Sequence, residues 1–281
     1  MKKFSLILAL IILLNTGTTV LALSFPSKYE VLQGNTLEIK IPREKATFIS
    51  GNFSGESILF LKEENQFRGY LGINRTLAPS IKNLDISLFT PGKGSEKFVI
   101  PVTIQKKEFK IQSFTLPQKT QKLFEKDYQT PTWNAIYKSM ENPATTQLWQ
   151  DKFILPVVGR ITLGFGDRLF INKKASGTHF GIDYANKTGT PIYAPNSGTV
   201  KLASYTPAYG NVIVIDHGLN IFSMYLHLDS YNVKAGDKVS QGQLIAKVGS
   251  TGLADGPHLH FTMFVNKTIV DPEQWIFNYN F

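Results

Sequence analysis

Two of the five histidines in the chain, His258 and His260, stand one residue apart in STGLADGPHLHFTMF, residues 250–264. This segment reads as an apolar strand. Because side chains at positions i and i+2 of a strand point to the same face, His258 and His260 share a face with Thr262. The alternate residues Leu259, Phe261 and Met263 form the apolar face that is expected to pack on the core.

Other histidines fall in similar patterns. In FSMYLHLDS, alternation predicts that Tyr225 and His227 share one face, opposite Met224, Leu226 and Leu228. In GTHFGIDYA, His179 and Asp183 are four residues apart, which places them on one side of either a strand or a helical turn. His217 ends the apolar run VIVIDHG and is interpreted as a hairpin-end residue rather than a ligand.

The chemistry that these residue types can perform together is that of a catalytic zinc site. Zinc binds imidazole nitrogen and carboxylate oxygen, and a catalytic site keeps one position for water. Histidines beyond the ligands are then available for proton transfer or for stabilising an oxyanion. A lone HxH or HxxxD pattern is weak evidence, and only their occurrence together favours a metal site.

Three segments with different patterns must position these residues. Residues 23–112 contain short alternating runs broken by turns and no histidine, which predicts a small β-sandwich. Residues 113–152 include KTQKLFEKDYQ and TWNAIYKSMEN, whose apolar spacing predicts a helical connector. This connector either serves as a spacer or packs across a site. Residues 153–281 return to glycine-bounded strands, so the overall fold is predicted to be mainly β.

The first 22 residues have the pattern of a secretory signal peptide. A basic start with Lys2 and Lys3 precedes an apolar core and a small-residue cleavage signal. The alternative is an uncleaved anchor, but no stable membrane span is expected after cleavage. Removing the two lysines lowers the net charge from +9 to +7, which suits an acidic polymer or a membrane surface. The chain has no cysteine, so its stability must come from its core or from a metal.

The segments HFGID, MYLHL, GDKVSQGQLIAKVGSTG and GPHLHF, in this order, resemble the lysostaphin-type (LytM-domain) zinc metallopeptidases of bacterial cell walls. The resemblance covers residues 153–275 and implies an antiparallel β-sheet domain with a substrate groove. More loosely, the preceding strands resemble the β-sandwich found before this domain in part of the family.

The resemblance implies a role for each matching residue. His179, Asp183 and His260 correspond to the ligands of one Zn2+ per chain, and His227 and His258 to the catalytic pair that is not bound to metal. Which of the two is the base stays open. The implied function is a peptidoglycan hydrolase, with a D,D-endopeptidase favoured, that cleaves cross-link peptide bonds through a zinc-activated water.

The same resemblance leaves other points open. Tyr225 either donates a hydrogen bond to the oxyanion, as a substrate-binding residue, or packs against the groove wall. Leu163 and Asp255 depart from the small hydroxyl residues common at those positions in the family, which bears on substrate fit. Whether the first domain or the connector blocks the groove is also open.

Two alternative functions belong to other classes. One is a catalytically inactive or latent activator of cell-wall amidases, and members of that kind typically lack ligand residues that this chain retains. The other is a carbohydrate-binding or carrier module, because VKAGDKVSQGQLIAKVG resembles the hairpin of lipoyl- and biotin-type barrels, although a carrier does not explain the histidines. The expected location is exported, in the periplasm or cell envelope. The expected partner is peptidoglycan, with cell-division or envelope proteins as further candidates and no nucleic acid.

Overall fold

A computed structural model describes residues 25–115 and 129–278 of the chain. The predicted signal peptide and residues 116–128 of the predicted connector lie outside the described residues. In the described part, no helix combines the length and the apolar character needed to cross a membrane. Strands dominate, so the prediction of a mainly β fold is confirmed.

The first described segment forms a β-sandwich. Its strands are β1 (Tyr29–Leu32), β2 (Thr36–Pro42), β3 (Phe48–Phe53), β4 (Glu56–Ile58), β5 (Phe60–Lys62), β6 (Gln66–Gly72), β7 (Ser80–Thr90), β8 (Gly94–Gln105) and β9 (Ile111–Phe114). One sheet has the order β1-β8-β7-β3-β4 and the other β2-β6-β5. Alternate residues of both sheets, such as Ile39, Ile86 and Val102, meet in one buried core.

The second described segment begins with a helix and continues as strands. The helices are α1 (Gln129–Ser139) and α2 (Pro272–Ile276). The strands are β10 (Arg160–Leu163), β11 (Arg168–Ile171), β12 (Lys174–Thr178), β13 (Ile182–Ala185), β14 (Pro191–Tyr193), β15 (Gly198–Thr206), β16 (Gly210–Gly218), β17 (Ile221–Leu228), β18 (Ser230–Tyr231), β19 (Lys238–Val239), β20 (Leu244–Lys247), β21 (His258–Val265) and β22 (Thr268–Val270).

The main sheet of this segment has the order β10-β13-β21-β17-β16-β15-β19, and β22 pairs with β21. All its described strand pairs are antiparallel. Strands β17 and β21 are buried along their whole length. One face carries residues such as Phe261 and packs on a large core with the small sheet β14-β20-β18, and the other carries residues such as Phe264 and packs on α1.

The predicted helical connector is only partly helical in its described part. Strand β9 crosses the predicted boundary at residue 112, and residues 140–159 contain no helix. Helix α1 has the expected amphipathic spacing, since Thr132, Ile136 and Met140 are buried at intervals of four residues. The helix therefore packs on the sheet.

The sandwich is joined to helix α2 of the second segment by buried hydrogen bonds to Thr36, which together are called the polar clamp. The side-chain amide of Gln274 accepts a hydrogen bond from the Thr36 backbone N–H at 2.7 Å and donates one to the Thr36 carbonyl oxygen at 2.9 Å. The Trp275 indole N–H donates to the Thr36 hydroxyl oxygen at 3.0 Å. Around this clamp the Tyr70 ring contacts those of Trp149 and Trp275. The two segments thus share an interface that resembles a domain core.

Replacing Gln274 by alanine is expected to lower the free energy of unfolding by about 2–4 kcal/mol, because two buried backbone groups of Thr36 lose their partners. Urea unfolding of both proteins measures the difference. Gln105→Ala is the control, since Gln105 is an exposed glutamine of the sandwich, and a change below about 0.5 kcal/mol is expected there. Equal effects of the two substitutions would contradict a stabilising clamp.

Candidate active site

Three candidate ligand atoms converge where β13 meets β21. Asp183 is the register partner of His260 in this antiparallel pair, and His179 precedes β13 by three residues. His260 Nδ1 lies 2.8 Å from Asp183 Oδ1, His179 Nε2 lies 3.0 Å from the same oxygen, and the two imidazole nitrogens are 2.9 Å apart. All three side chains are buried.

The outer nitrogens of both imidazoles have partners that fix the ring orientation. His179 Nδ1 donates to the Gly164 carbonyl oxygen at 3.0 Å, so its Nε2 carries a lone pair. His260 Nε2 lies 3.0 Å from the Thr262 hydroxyl oxygen, and the tautomer that donates there leaves Nδ1 as a lone pair. Two nitrogen lone pairs and a carboxylate oxygen then face one another, which is the donor arrangement of a cation site.

This donor set fits zinc. With zinc–nitrogen and zinc–oxygen distances of about 2.0–2.1 Å, tetrahedral ligands lie roughly 3.3 Å apart. The observed separations of 2.8–3.0 Å differ from that value by a few tenths of an ångström. Hydrogen bonds from the outer ring nitrogens are the second-shell contacts that orient histidine ligands.

The protonation states also suit a metal. Burial would raise the pKa of Asp183, but the neighbouring His179 and His260 hold it well below its usual range. Burial lowers the pKa of His260 to about 4, which keeps its imidazole neutral at physiological pH. Burial opposes protonation of His179 as well, yet the Asp183 carboxylate outweighs it and raises the pKa of His179. The cluster thus attracts positive charge.

His227 and His258 lie beside this cluster with their rings 4.8 Å apart. His227 Nδ1 donates to the Thr251 carbonyl oxygen at 2.8 Å, and His258 Nδ1 donates to the Gly256 carbonyl oxygen at 2.8 Å. In each ring Nε2 is then a proton acceptor, and His258 Nε2 lies 3.8 Å from Asp183 Oδ1. Burial and the neighbouring histidines lower the pKa of His227 to about 3, so this imidazole is neutral.

The predicted alternation in FSMYLHLDS was wrong at His227. The backbone of His227 is left-handed, with φ of 61°, and the register between β16 and β17 shifts between Asn211 and Ile213. This bulge turns His227 to the face of Leu226, whose cross-strand partner is His260.

Tyr225 consequently lies on the opposite face from the site. It is fully buried in the large core, its ring packs on Phe261, and its hydroxyl lies 2.9 Å from the Ser223 hydroxyl. The interpretation of Tyr225 as a substrate-binding neighbour of His227 is therefore corrected.

His217 lies apart from the cluster, within the core. Its ring is fully buried, with Nδ1 2.8 Å from the Ser197 carbonyl oxygen and Nε2 2.8 Å from the Ser223 hydroxyl. Burial lowers its pKa to about 4. It is a neutral core histidine rather than a ligand, and it lies one residue before the end of β16, at the hairpin between β16 and β17 where it was predicted.

A groove of about 340 Å³ leads to the five clustered side chains. Its lining includes the aliphatic side chains of Leu163, Leu169 and Ile171 and the aromatic side chains of Trp133 and Tyr209. Asp255 also lines the groove, so both departures from the family pattern face the substrate space. Sequence reasoning missed Trp133 and Tyr209. The helical spacing around Trp133 was visible, but not the sheet face that α1 covers.

The sandwich supports one groove wall without lining the groove. Strand β9 pairs in parallel with β11, the first strand of the hairpin that contributes Leu169 and Ile171. The Arg75 guanidinium donates to the Thr178 hydroxyl oxygen at 2.5 Å and lies 3.5 Å from the Gly166 carbonyl oxygen. Because Thr178 directly precedes His179, Arg75 fixes the segment that delivers a candidate ligand.

Comparisons with known proteins relate the segment that carries the clustered histidines to a family of peptidases. Residues 177–272 match the family model described as Peptidase family M23. Peptidoglycan DD-endopeptidase ShyC of Vibrio cholerae is 44% identical over 88 residues, which are 31% of this chain and 20% of the relative. Peptidoglycan DD-endopeptidase ShyA of the same organism is 42% identical over 107 residues, or 38% of this chain and 25% of the relative. The chain thus spans a quarter or less of these two relatives.

A solved structure from Pseudomonas aeruginosa that carries the name of the same peptidase family shares the fold. It superimposes with a TM-score of 0.62 over 87% of this chain and 94% of that chain, at 24% sequence identity. The likeness therefore extends over both the sandwich and the main sheet, and at this identity it concerns the fold alone.

Replacing His217 by glutamine is expected to flatten the pH dependence of stability between pH 7 and pH 4. The folded-state pKa of about 4 lies below the value of 6.5 for an unperturbed histidine. The stability contribution is therefore complete above about pH 6.5 and is lost as the pH falls toward 4, by roughly 3 kcal/mol in all. Urea unfolding across this range checks the slope. Both proteins keep the other four histidines, so parallel curves would show that His217 does not titrate as stated.

Replacing Arg75 by alanine is expected to weaken zinc binding by roughly 10-fold or more, because the segment before His179 loses its anchor. Competition with a chromogenic chelator measures the affinity. Arg43→Ala is the matched control, since Arg43 donates to carbonyl groups within the sandwich and does not contact this segment. Unchanged zinc affinity in Arg75→Ala would contradict the anchoring role.

Proposed function

We propose that this chain, whose residues 177–272 match the model of peptidase family M23, is a zinc-dependent endopeptidase that cleaves cross-link peptides of peptidoglycan. The observation that carries this proposal is the convergence of two imidazole nitrogens and a carboxylate oxygen within 3.0 Å of one another. Two further histidines with acceptor nitrogens stand beside them. A purely structural cluster would not require five buried ionisable side chains at the end of a groove.

His179, Asp183 and His260 would hold the zinc ion. When bound there, zinc polarises a peptide carbonyl and lowers the pKa of a water molecule toward neutrality. Three protein ligands leave a coordination position open, as a catalytic site requires. Gly164 and Thr262 hold the two imidazoles in the orientation that this arrangement needs.

His227 and His258 would handle protons and the developing negative charge. Each ring is fixed through Nδ1 by a backbone carbonyl, so each Nε2 accepts a proton or, once protonated, donates a hydrogen bond to an oxyanion. Burial and the neighbouring histidines keep His227 neutral before substrate binds, so its Nε2 is free to accept a proton.

The hypothesis that the enzyme is a D,D-endopeptidase is supported by the names of the relatives in Vibrio cholerae. Action on peptidoglycan places the protein in the cell envelope. The basic and apolar start of residues 1–22 supports export to the periplasm. The division into residues 23–112, 113–152 and 153–281 is retained as a proposal for how sandwich, connector and catalytic domain follow one another.

The amidase-activator alternative is disfavoured by the complete donor set. An activator without catalysis needs neither the ligand trio nor two more histidines whose rings are fixed toward it. In the described part of the chain, the groove lining includes no residue of the sandwich, so this domain does not occlude the groove.

The test is metal content paired with digestion, using a chain that lacks residues 1–22. About one zinc per chain and chelator-sensitive loss of cross-linked muropeptides are expected. Asp183→Asn should lose zinc and cleavage together. His258→Ala should retain zinc and lose cleavage by roughly 100-fold or more.

Asp85→Asn serves as the control, because Asp85 is exposed on the sandwich. Zinc binding without cleavage in the unaltered protein would favour the activator reading. A chain that binds no zinc would overturn the proposal altogether.

A further inference from the structure

The groove has a wall that lies outside the family-matched segment. Trp133 and Gln129 of α1 line it together with His179, Tyr209 and other residues. This helix precedes the matched residues 177–272 and belongs to the segment predicted as a connector. A helix that acted only as a spacer between domains would not need a tryptophan in the groove lining.

Helix α1 is docked by a core of its own rather than resting on the surface. Ile136 and Met140 are 0% and 1% exposed, in a cluster with Met224 and Phe264 of the main sheet. The Tyr137 ring packs against Phe264 at 6.4 Å and stacks with Trp133 at 5.6 Å. Releasing the helix would expose this apolar surface to water, so α1 is built as a fixed element.

Trp133 is linked to the candidate metal ligands through aromatic contacts. Its ring meets Phe180 edge-on at 5.0 Å and Tyr209 at 5.8 Å. Phe180 directly follows His179, and its ring lies 4.4 Å from that of His260. These contacts hold the indole in one orientation beside the site, while the ring itself is only partly buried. The free part of its surface borders the groove.

We propose that Trp133 is a substrate-binding residue, and that α1 forms part of the groove that positions the peptide beside the catalytic histidines. This inference rests on the proposed peptidase function. The aliphatic side chains of Leu163, Leu169 and Ile171 line the same groove as the indole. The described groove lining contains no lysine or arginine, so a carboxylate at this place would have no cationic partner there. The segment held by Trp133 is therefore an uncharged stretch of peptide that packs its apolar groups on the indole face.

The opposite role, a helix that blocks the groove, leads to a different expectation. Removing a blocking side chain would raise the rate at low substrate concentration. Removing a binding wall weakens substrate binding and leaves the chemistry at the histidines intact. The direction of the change in KM therefore separates the two.

The experiment compares steady-state cleavage of cross-linked muropeptide by the unaltered protein, Trp133→Ala, Trp133→Phe and Asn134→Ala. We expect Trp133→Ala to raise KM roughly 10-fold or more with kcat within about 2-fold, and Trp133→Phe to recover most of the loss. Asn134 is exposed on the same helix and does not line the groove, so Asn134→Ala should leave both constants unchanged. Zinc content should match in all four, and the assay temperature is set below the melting temperature of Trp133→Ala, which loses aromatic packing.

A lowered or unchanged KM in Trp133→Ala would overturn the inference while leaving the peptidase function standing. If the unaltered protein does not cleave, a binding assay still decides. The other two tryptophans, Trp149 and Trp275, are 2% and 0% exposed, so fluorescence changes on adding muropeptide report mainly Trp133.

Calorimetric titration of muropeptide into His258→Ala, with and without Trp133→Ala, then compares affinities without turnover. Affinity at least about 10-fold weaker in the double variant is the expected result. Equal affinity would refute the binding role of Trp133.

Discussion

The site depends on one carboxylate oxygen held between two imidazole nitrogens in a buried place. Asp183 Oδ1 lies 2.8 Å from His260 Nδ1 and 3.0 Å from His179 Nε2. A buried, ionised carboxylate is costly unless positive charge compensates it, and two neutral imidazoles supply no positive charge. A divalent cation at this place satisfies all three donors together. The pairing of β13 with β21 fixes the spacing of Asp183 and His260, so the sheet holds the donors at the distance that such a cation needs.

The surrounding structure serves to keep these three atoms together. Gly181, between His179 and Asp183, leaves room for the close approach of β21, since a Cβ there would lie 2.4 Å from the Phe261 carbonyl oxygen and 2.6 Å from His260 Nε2. Asp167 accepts from the Gly164 backbone N–H at 3.0 Å and thereby holds the carbonyl group that orients His179. Arg75 anchors the same segment from the sandwich. The glycine of HFGID is thus a packing requirement of the candidate metal site.

Alternation along a strand was enough to predict part of this arrangement. In β21 the regular pleat places His260 and Thr262 on one face and Leu259 and Phe261 in the core on the other. The same rule failed in β17, because a bulge with a left-handed, non-glycine residue leaves no mark in the pattern of MYLHL. That bulge depends on contacts distant in sequence, including the bond from His227 to the Thr251 carbonyl. The position of α1 beside the groove was not predicted for a similar reason. Periodicity shows which face of a helix is buried, but it does not show which surface that face packs against.

The bulge at His227 also explains how one sheet face can serve packing and chemistry at once. Along β17, Met224 and Leu226 belong to the core cluster beneath α1, and a regular continuation would have turned His227 into the large core with Tyr225. The left-handed turn brings its ring to within 4.8 Å of His258 instead. A non-glycine residue in this conformation costs roughly 1 kcal/mol or more, and surrounding contacts must hold it there. Strain at a candidate catalytic residue, offset by the well-packed core beneath it, is the compromise by which a rigid sheet presents a reactive side chain.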